Sequence, residues 1–455
     1  MDRRRFLGVA AGAAMVPFLG RGGVCGGSEG RKPNFIYILA DDLGYGDLGC
    51  YGQASIRTPN LDRLAAEGMR FTQHYAGSAV CAPSRCVLLT GLHAGHGPIR
   101  NNRALKHEGN VPIPREYFTL GEMMKQAGYA TGAFGKWGVG FPGSEGDPVN
   151  RGFDVFFGYN CQRQAHDYYP DHLWHNREKL ILEGNANGAE GQYSHDLIAE
   201  AALEFIRSNR DRPFFAYVPF TIPHTRFQVP DLGEYDGTDW EENHKIQAAM
   251  IGRMDRDVGR IVALVRELGL EGETLIMFTS DNGPHGGSGT LERFRAAGPL
   301  RAKKGSLYEG GIRVPLIARW PGRVAAGSVS EHVGGFQDVM PTFAELAGIE
   351  APAGIDGISF AAALTGRGRQ REHEYLYWEL GNQQAVRMGR WKAVRRIGRR
   401  GLEPVELYDL AEDVAESKDL AASRPEMVRR MEKILRQARR PSKLFPHKVL
   451  DDLPT

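Results

Sequence analysis

A chain of 455 residues with 42% hydrophobic and 25% charged side chains has the composition of a folded protein exposed to water, long enough for two or three domains. Its 57 basic and 55 acidic residues leave a formal charge of +2, which gives no nucleic-acid signal and excludes a polyanion-coating protein. Five cysteines (Cys25, Cys50, Cys81, Cys86, Cys161) are too few for a disulfide framework, and their odd number leaves room for one with a chemical role.

Residues 1–27 are expected to be an export signal. Arg3-Arg4-Arg5-Phe6-Leu7 resembles a twin-arginine motif, and the Ala/Gly-rich stretch from Phe6 to Gly20 is too short and small-sided to span a membrane. The alternative is a plain basic tail on a cytosolic protein. Val24 fits poorly before a lipoprotein cysteine, so no lipid anchor is expected at Cys25. The reading is a periplasmic or secreted protein that engages export machinery. No later run reaches the roughly 18 uncharged apolar residues of a transmembrane helix.

Asn34 to Ala40 reads as a buried strand that ends at Asp41-Asp42. Thr58-Pro59 opens a helix closed near Gly68. At Cys81-Ala-Pro-Ser-Arg85, Pro83 suits a first helical turn, and Arg85 returns beside position 81 one turn later. The free N–H groups and positive dipole of a new helix favour an anion there. Thr119-Leu-Gly-Glu122 forms a capping box for a helix ending at Gly128, and Tyr129 to Phe134 is the next strand. Ser194 is expected to cap a helix carrying Leu197, Ala201, Ala202, Phe205 and Ile206. Pro213 to Phe220 is a strand, and His244 to Leu268 carries apolar residues at helical spacing. Thr274 to Thr279 is a strand that ends at Asp281-Asn282.

Alternation of this kind predicts an α/β fold, a large mostly parallel sheet sandwiched by helices, with ligands beyond the carboxyl ends of the strands. Both acidic pairs then share one rim. Either pair alone is ordinary turn chemistry. Asp41, Asp42, Asp281 and Asn282 together offer only oxygen donors, the set a hard cation prefers. The catalytic domain is expected over 32–365, with a linker across Gly366 to Glu374. A C-terminal α+β subdomain, a small antiparallel sheet with a helix from Arg424 to about Ala438, is expected over 375–440. The tail, 441–455, is expected to be poorly ordered, and Arg395, Arg396, Arg399 and Arg400 to form a solvated turn.

Cys81-Ala-Pro-Ser-Arg85 followed by Leu89-Thr-Gly91 resembles the signature of the type I sulfatases of the alkaline phosphatase superfamily. Further segments match in order: Lys32 to Gly46, Thr58-Pro-Asn-Leu-Asp62, Gly135-Lys-Trp137, Pro223-His224, Ser280-Asp-Asn-Gly283, Lys304-Gly305, Tyr308 to Pro315 and Glu406-Leu-Tyr-Asp-Leu410. The resemblance implies an alkaline phosphatase-like fold and an arylsulfatase-like sulfuric ester hydrolase. It implies that a formylglycine-generating maturation enzyme oxidises Cys81 to an aldehyde, whose hydrate attacks sulfur. It also implies Ca²⁺, with Mg²⁺ the minor option, on Asp41, Asp42, Asp281, Asn282 and position 81. Arg85, Lys136 and Lys304 would steady the nucleophile and the sulfate, and His224, with Lys304, would protonate the leaving alcohol.

One position departs from the family. Gly138 stands where a histidine often follows Gly-Lys-Trp, which removes a base for the last proton transfer. His285, His93 and His96 are candidate replacements. His285 is favoured because it lies three residues past Asn282, with a sulfate or sugar contact as its other reading. Asn160 to Pro170 and His172 to His175 are candidates to line the substrate site or to serve in packing. The expected substrate is a sulfated small molecule or glycan, with sulfated polysaccharide favoured. The alternatives are a phosphodiester or phosphonate monoester hydrolase with the same nucleophile, or a non-catalytic sulfated-glycan binder.

Overall fold

The computed structural model describes residues 31–452 apart from His107 and Ser288. The expected export signal and Cys25 lie outside the described residues. In the first half of the chain come β1 (Asn34–Ala40), α1 (Pro59–Ala66), β2 (Met69–Tyr75), α2 (Cys81–Thr90), α3 (Leu120–Gln126) and β3 (Ala130–Lys136). They are followed by β4 (Val155–Tyr159), β5 (His172–His175), β6 (Glu178–Ile181), α4 (Ser194–Ser208), β7 (Phe214–Pro219) and α5 (Glu242–Glu267). Then come β8 (Thr274–Ser280), α6 (Thr290–Phe294), α7 (Glu309–Ile312), β9 (Arg313–Arg319), β10 (Ser328–Ser330), β11 (Gly334–Gly335), α8 (Val339–Leu346) and α9 (Ala361–Thr365).

These strands form an 11-stranded sheet in the order β10-β2-β9-β8-β1-β7-β3-β4-β5-β6, with β11 beside β2. Central β1 runs parallel to both neighbours, with Ile36 opposite Ala216 of β7 and Ile276 of β8. The pairings of β9 with β2 and β8, and of β5 with β4 and β6, are antiparallel. The sheet is therefore mixed, and parallel around its centre. Alternate residues of β1 feed two cores. Ile36, Ile38 and Ala40 pack with α1, α4 and α5, while Phe35, Tyr37 and Leu39 pack with α2, α3 and α8. A sheet covered on both faces explains why β1 reads as one unbroken apolar run.

Most local signals hold. Thr119 and Glu122 form the capping box, with the Thr119 N–H donating to Glu122 Oε2 at 2.9 Å. Ser194 is a correction. It is the first helical residue of α4 rather than its cap, the N-cap position being Tyr193. Its N–H is already used, donating to Tyr168 O at 2.9 Å, which seats the residue inside the helix.

A second, antiparallel sheet follows, from β12 (Leu376–Leu380), β13 (Gln383–Met388), β14 (Trp391–Gly398), β15 (Gly401–Leu402) and β16 (Glu406–Asp409). The amphipathic α10 (Pro425–Gln437) lays Met431, Ile434 and Leu435 on one face, against Val386, Ala393 and Leu407. The other face, through Trp378, Ala385 and Val394, packs on Tyr75, Ala79, Leu307 and Tyr308 of the large-sheet region. Two expectations fail here. Arg395 is buried in β14 and donates to Gln384 Oε1 at 2.6 Å, and only Arg396, Arg399 and Arg400 are exposed. The tail is ordered to residue 452: α11 (Lys448–Asp451) buries Leu450, and Asp451 pairs with Arg439 at 2.5 Å. Sparse apolar residues made it look solvated, yet Leu444 and Phe445 find a place on the main core.

A buried ion cluster joins the two sheets. Lys392 of β14 lies 2.9 Å from Glu309 and 2.8 Å from Glu416, all three side chains fully buried, and Tyr75 donates to Glu309 at 2.6 Å. Removing one partner of such a pair strands charge in a low-dielectric interior. Lys392→Ala is expected to destabilise the fold by about 3–5 kcal/mol. A thermal unfolding midpoint indistinguishable from that of an exposed control, Lys418→Ala, would overturn this.

Candidate active site

Four carboxyl ends meet on one rim of the large sheet. β1 delivers Asp41 and Asp42, β3 ends at Lys136, β7 leads to His224, and β8 leads to Asp281 and Asn282. The N-terminus of α2 faces them. Val80 stays extended at φ −144°, ψ 160°, and Cys81 is the first helical residue. The Ala82 N–H donates to Asn102 Oδ1 at 2.9 Å, so one of the free amides expected to meet an anion is already capped.

Cys81 Sγ lies 3.5 Å from Asp41 Oδ1, marking where the oxygens of a modified side chain would stand. Lys136 Nζ binds Asp41 Oδ2 at 2.6 Å. Lys304 Nζ donates to Asp42 Oδ2 at 2.7 Å and to His224 Nε2 at 3.0 Å. Arg85 turns back as expected but is fully buried: Nε and Nη2 hold Asp281 Oδ2 at 3.1 and 2.8 Å, and Nη1 donates to Lys136 O at 2.5 Å. With Nη2 also 3.4 Å from Asp41 Oδ2, it ties the ends of β8, β3 and β1 together. The Asp42 N–H donates to Asp281 Oδ1 at 3.2 Å, and Asn282 Nδ2 donates to Asp42 Oδ1 at 2.7 Å.

Electrostatics follow from burying three carboxylates among three cations. Burial would raise the Asp41 pKa, but Lys136, His224 and Arg85 more than offset it and hold the carboxyl low. Burial and the Asp41 charge push Asp281 up to about 7. Burial, followed by Asp41, pushes the Cys81 thiol up to about 12, so an unmodified Cys81 does not ionise at neutral pH. Burial lowers His224, leaving it neutral. Its Nδ1–H donates to Thr225 O, so the Nε2 lone pair faces Lys304.

The donor set fits a divalent cation. Ligand atoms of Asp41, Asp42, Cys81 and His224 lie within 4.8 Å of one another. Asn282 Oδ1 is buried with no partner, and Asp281 adjoins the group through the Asp42 N–H. A mostly oxygen-bearing cluster with an orphaned carbonyl suits a hard cation.

Above Cys81 opens a cavity of about 690 Å³ lined by Gln162, Arg163, His166, His224, His285 and Lys304. The flagged segment therefore divides. Gln162, Arg163 and His166 reach the cavity, while His172 binds Glu108 at 2.9 Å and Trp174 Nε1 donates to the same carboxylate. Asn102 and Asn110 also line it. Sequence reasoning passed over both, because a lone Asn in a loop carries no motif. His93 and His96 are not at the site. They stack on each other at 4.2 Å beyond the far end of α2, with His96 Nδ1 2.9 Å from Asp356. Gly138 has a backbone reason to be glycine: φ is +78°, and a Cβ would stand 3.0 Å from the Gln162 side chain. His285 lines the cavity, with Nδ1 accepting the Gly287 N–H at 3.1 Å.

Residues 33–349 match the family described as Sulfatase, and residues 302–441 match the one described as N-sulphoglucosamine sulphohydrolase, C-terminal. Arylsulfatase A of Homo sapiens is 33% identical over 460 residues, covering 89% of this chain and 87% of its own. N-acetylgalactosamine-6-sulfatase of Sus scrofa is 35% identical, covering 80% of this chain and 72% of its own. A crystal structure of Ps i-CgsB in complex with k-i-k-neocarrahexaose superposes with a TM-score of 0.78 at 29% identity, covering 90% of this chain and 93% of the other.

Proposed function

The chain belongs to the sulfatase family and is a sulfuric ester hydrolase; on that premise we propose that it is an exported enzyme that removes sulfate from carbohydrate, using formylglycine made from Cys81 and a Ca²⁺ ion held by Asp41, Asp42, Asp281 and Asn282. The observation that carries this reading is the burial of Cys81 among carboxylates, lysines and an arginine. Burial keeps the Cys81 thiol protonated and a poor nucleophile, which supports a modified side chain at this position among the charged groups. Formylglycine supplies an aldehyde whose hydrate carries the attacking hydroxyl. A cation held by Asp41, Asp42, Asp281 and Asn282 would supply charge stabilisation beside position 81.

The chain's own residues do the rest. Lys136 and Lys304 flank position 81 with fixed positive charge where the sulfonyl oxygens gain negative charge, at no reorganisation cost. Arg85 is a positioning residue that orients Asp281 and the carboxyl end of β3. His224, neutral with its Nε2 lone pair accepting from Lys304, holds that ammonium beside position 81, from where the pair can deliver a proton to the departing alcohol oxygen. In His285 the Gly287 N–H occupies the Nδ1 lone pair, leaving the proton on Nε2. That tautomer favours a hydrogen bond donated to sulfate or sugar over the role of replacement base.

Carbohydrate is supported by the amide side chains of the cavity, where Asn102, Asn110 and Gln162 can meet hydroxyl groups, and by the sugars in the names of similar proteins. Export rests on Arg3-Arg4-Arg5 and the uncharged stretch after it. Among the described residues no helix is long and apolar enough to cross a membrane. A matched pair, an aryl sulfate and an aryl methyl phosphate diester, tests the reaction class. kcat/KM is expected to be higher for the sulfate, and a preference for the diester would replace this reading with the phosphodiesterase one.

A further inference from the structure

The cavity above Cys81 does not end the cleft. A second cavity, of about 570 Å³, lies beside it, and Arg163, His166 and Thr225 line both. The partition between them is firmly built. Tyr168 OH donates to Thr221 O and His224 O at 2.7 and 2.8 Å, the Arg226 N–H donates to His166 O at 3.2 Å, and His166 stacks on His224 at 4.3 Å. The second cavity is thus held at a fixed distance from the residues around position 81.

Its charges are unevenly used. Asp171 meets His172 Nδ1 at 2.7 Å, and Asp167, which accepts the Tyr169 N–H at 3.0 Å, keeps its negative charge, so an anion is placed on the arginine side of the cavity. Arg163 spends one N–H on Leu105 O at 3.1 Å, and among the described residues neither Arg163 nor Arg226 pairs with a carboxylate. Arg226 is exposed on the cavity wall, and Tyr169 adds an aromatic surface. Unpaired guanidinium groups one chamber from the nucleophile are placed for an anion that belongs to the substrate but is not the group being cleaved.

We propose that the second cavity is a subsite for the neighbouring sugar of a sulfated oligosaccharide, and that Arg226 binds an anionic substituent, sulfate or carboxylate, on that sugar. The inference rests on the carbohydrate assignment of the first cavity. An aryl sulfate fills only the first cavity, so the two cavities can be assayed separately.

The experiment compares kcat/KM on an aryl sulfate with values on sulfated disaccharides whose second sugar carries no acid, a sulfate or a carboxylate. In the wild type the second acidic group is expected to raise kcat/KM. Arg226→Ala is expected to lower it on the doubly acidic disaccharides by roughly tenfold, the weight of one charge-assisted hydrogen bond, mainly through KM. The aryl sulfate should lose much less, and Arg226→Lys should recover part of the effect. The larger response, to sulfate or to carboxylate, identifies the natural substituent. Disaccharide turnover that ignores the second acid, or an equal loss on the aryl sulfate, overturns the subsite alone. Turnover of the aryl sulfate with none of any disaccharide overturns the carbohydrate reading and the subsite with it.

Discussion

Cys81→Ala is expected to abolish sulfate release, by on the order of 10⁴-fold or more, while the fold survives. Cys81 opens a buried helix, but its Sγ makes only a long contact to Asp41, so alanine leaves little unsatisfied. The remaining cations and carboxylates stay paired with one another, and none depends on the sulfur. Cys86→Ala, in the same helix and equally buried, should cost stability but not chemistry. The matching measurement is the mass of the peptide containing Cys81 in active wild-type protein, which should be that of the aldehyde. Full activity with an unmodified thiol mass would end the formylglycine assignment.

Chelation is the second large effect. Stripping divalent ions should remove turnover, and adding Ca²⁺ back should restore it. Asp41→Ala and Asp281→Ala should each lose at least on the order of 10²-fold and should not be rescued by added Ca²⁺. Each deletion removes a donor and also releases a cation, Lys136 from Asp41 and Arg85 from Asp281, so the loss compounds. Lys303→Ala is the comparison and should lose far less: the residue lines the cavity, but among the described residues its ammonium donates to Gly286 O and to none of the proposed ligands. Activity that persists in chelated wild-type enzyme would sink the metal assignment, whatever the variants do.

What the sequence made legible was local or carried by a string of residues. The strand ending at Asp41-Asp42, the Thr119–Glu122 capping box and the turn at Cys81 depend on neighbours in the chain, and they stand where expected. What it concealed depends on distant partners. Spacing brought Arg85 back beside position 81 but could not say that it would grip Asp281, 196 residues away. His93 and His96 stood beside His285 as lesser candidates, and α2 carries them to its far end, where Asp356 holds them. The role of His285 turns on which ring nitrogen the Gly287 N–H meets, a choice no periodicity encodes. Arg395 and the tail were misjudged because their composition suits water and only the finished fold supplies Gln384 and Arg439 as partners.

The burial of Cys81 also has a bearing on time. With 2% of its surface exposed, the residue sits at the floor of a cavity of about 690 Å³, where little of its side chain can be reached in the folded protein. If Cys81 is the source of the aldehyde, its oxidation has to happen while the segment from Cys81 to Arg85 is still an extended chain. Folding then acts as a deadline. A molecule that closes its sheet before maturation is sealed in the unreactive form, and its later export would deliver a correctly shaped protein with no means of attack. On that reading the fraction of active enzyme in a cell would be set by a race between two rates during synthesis, rather than by any equilibrium of the finished molecule.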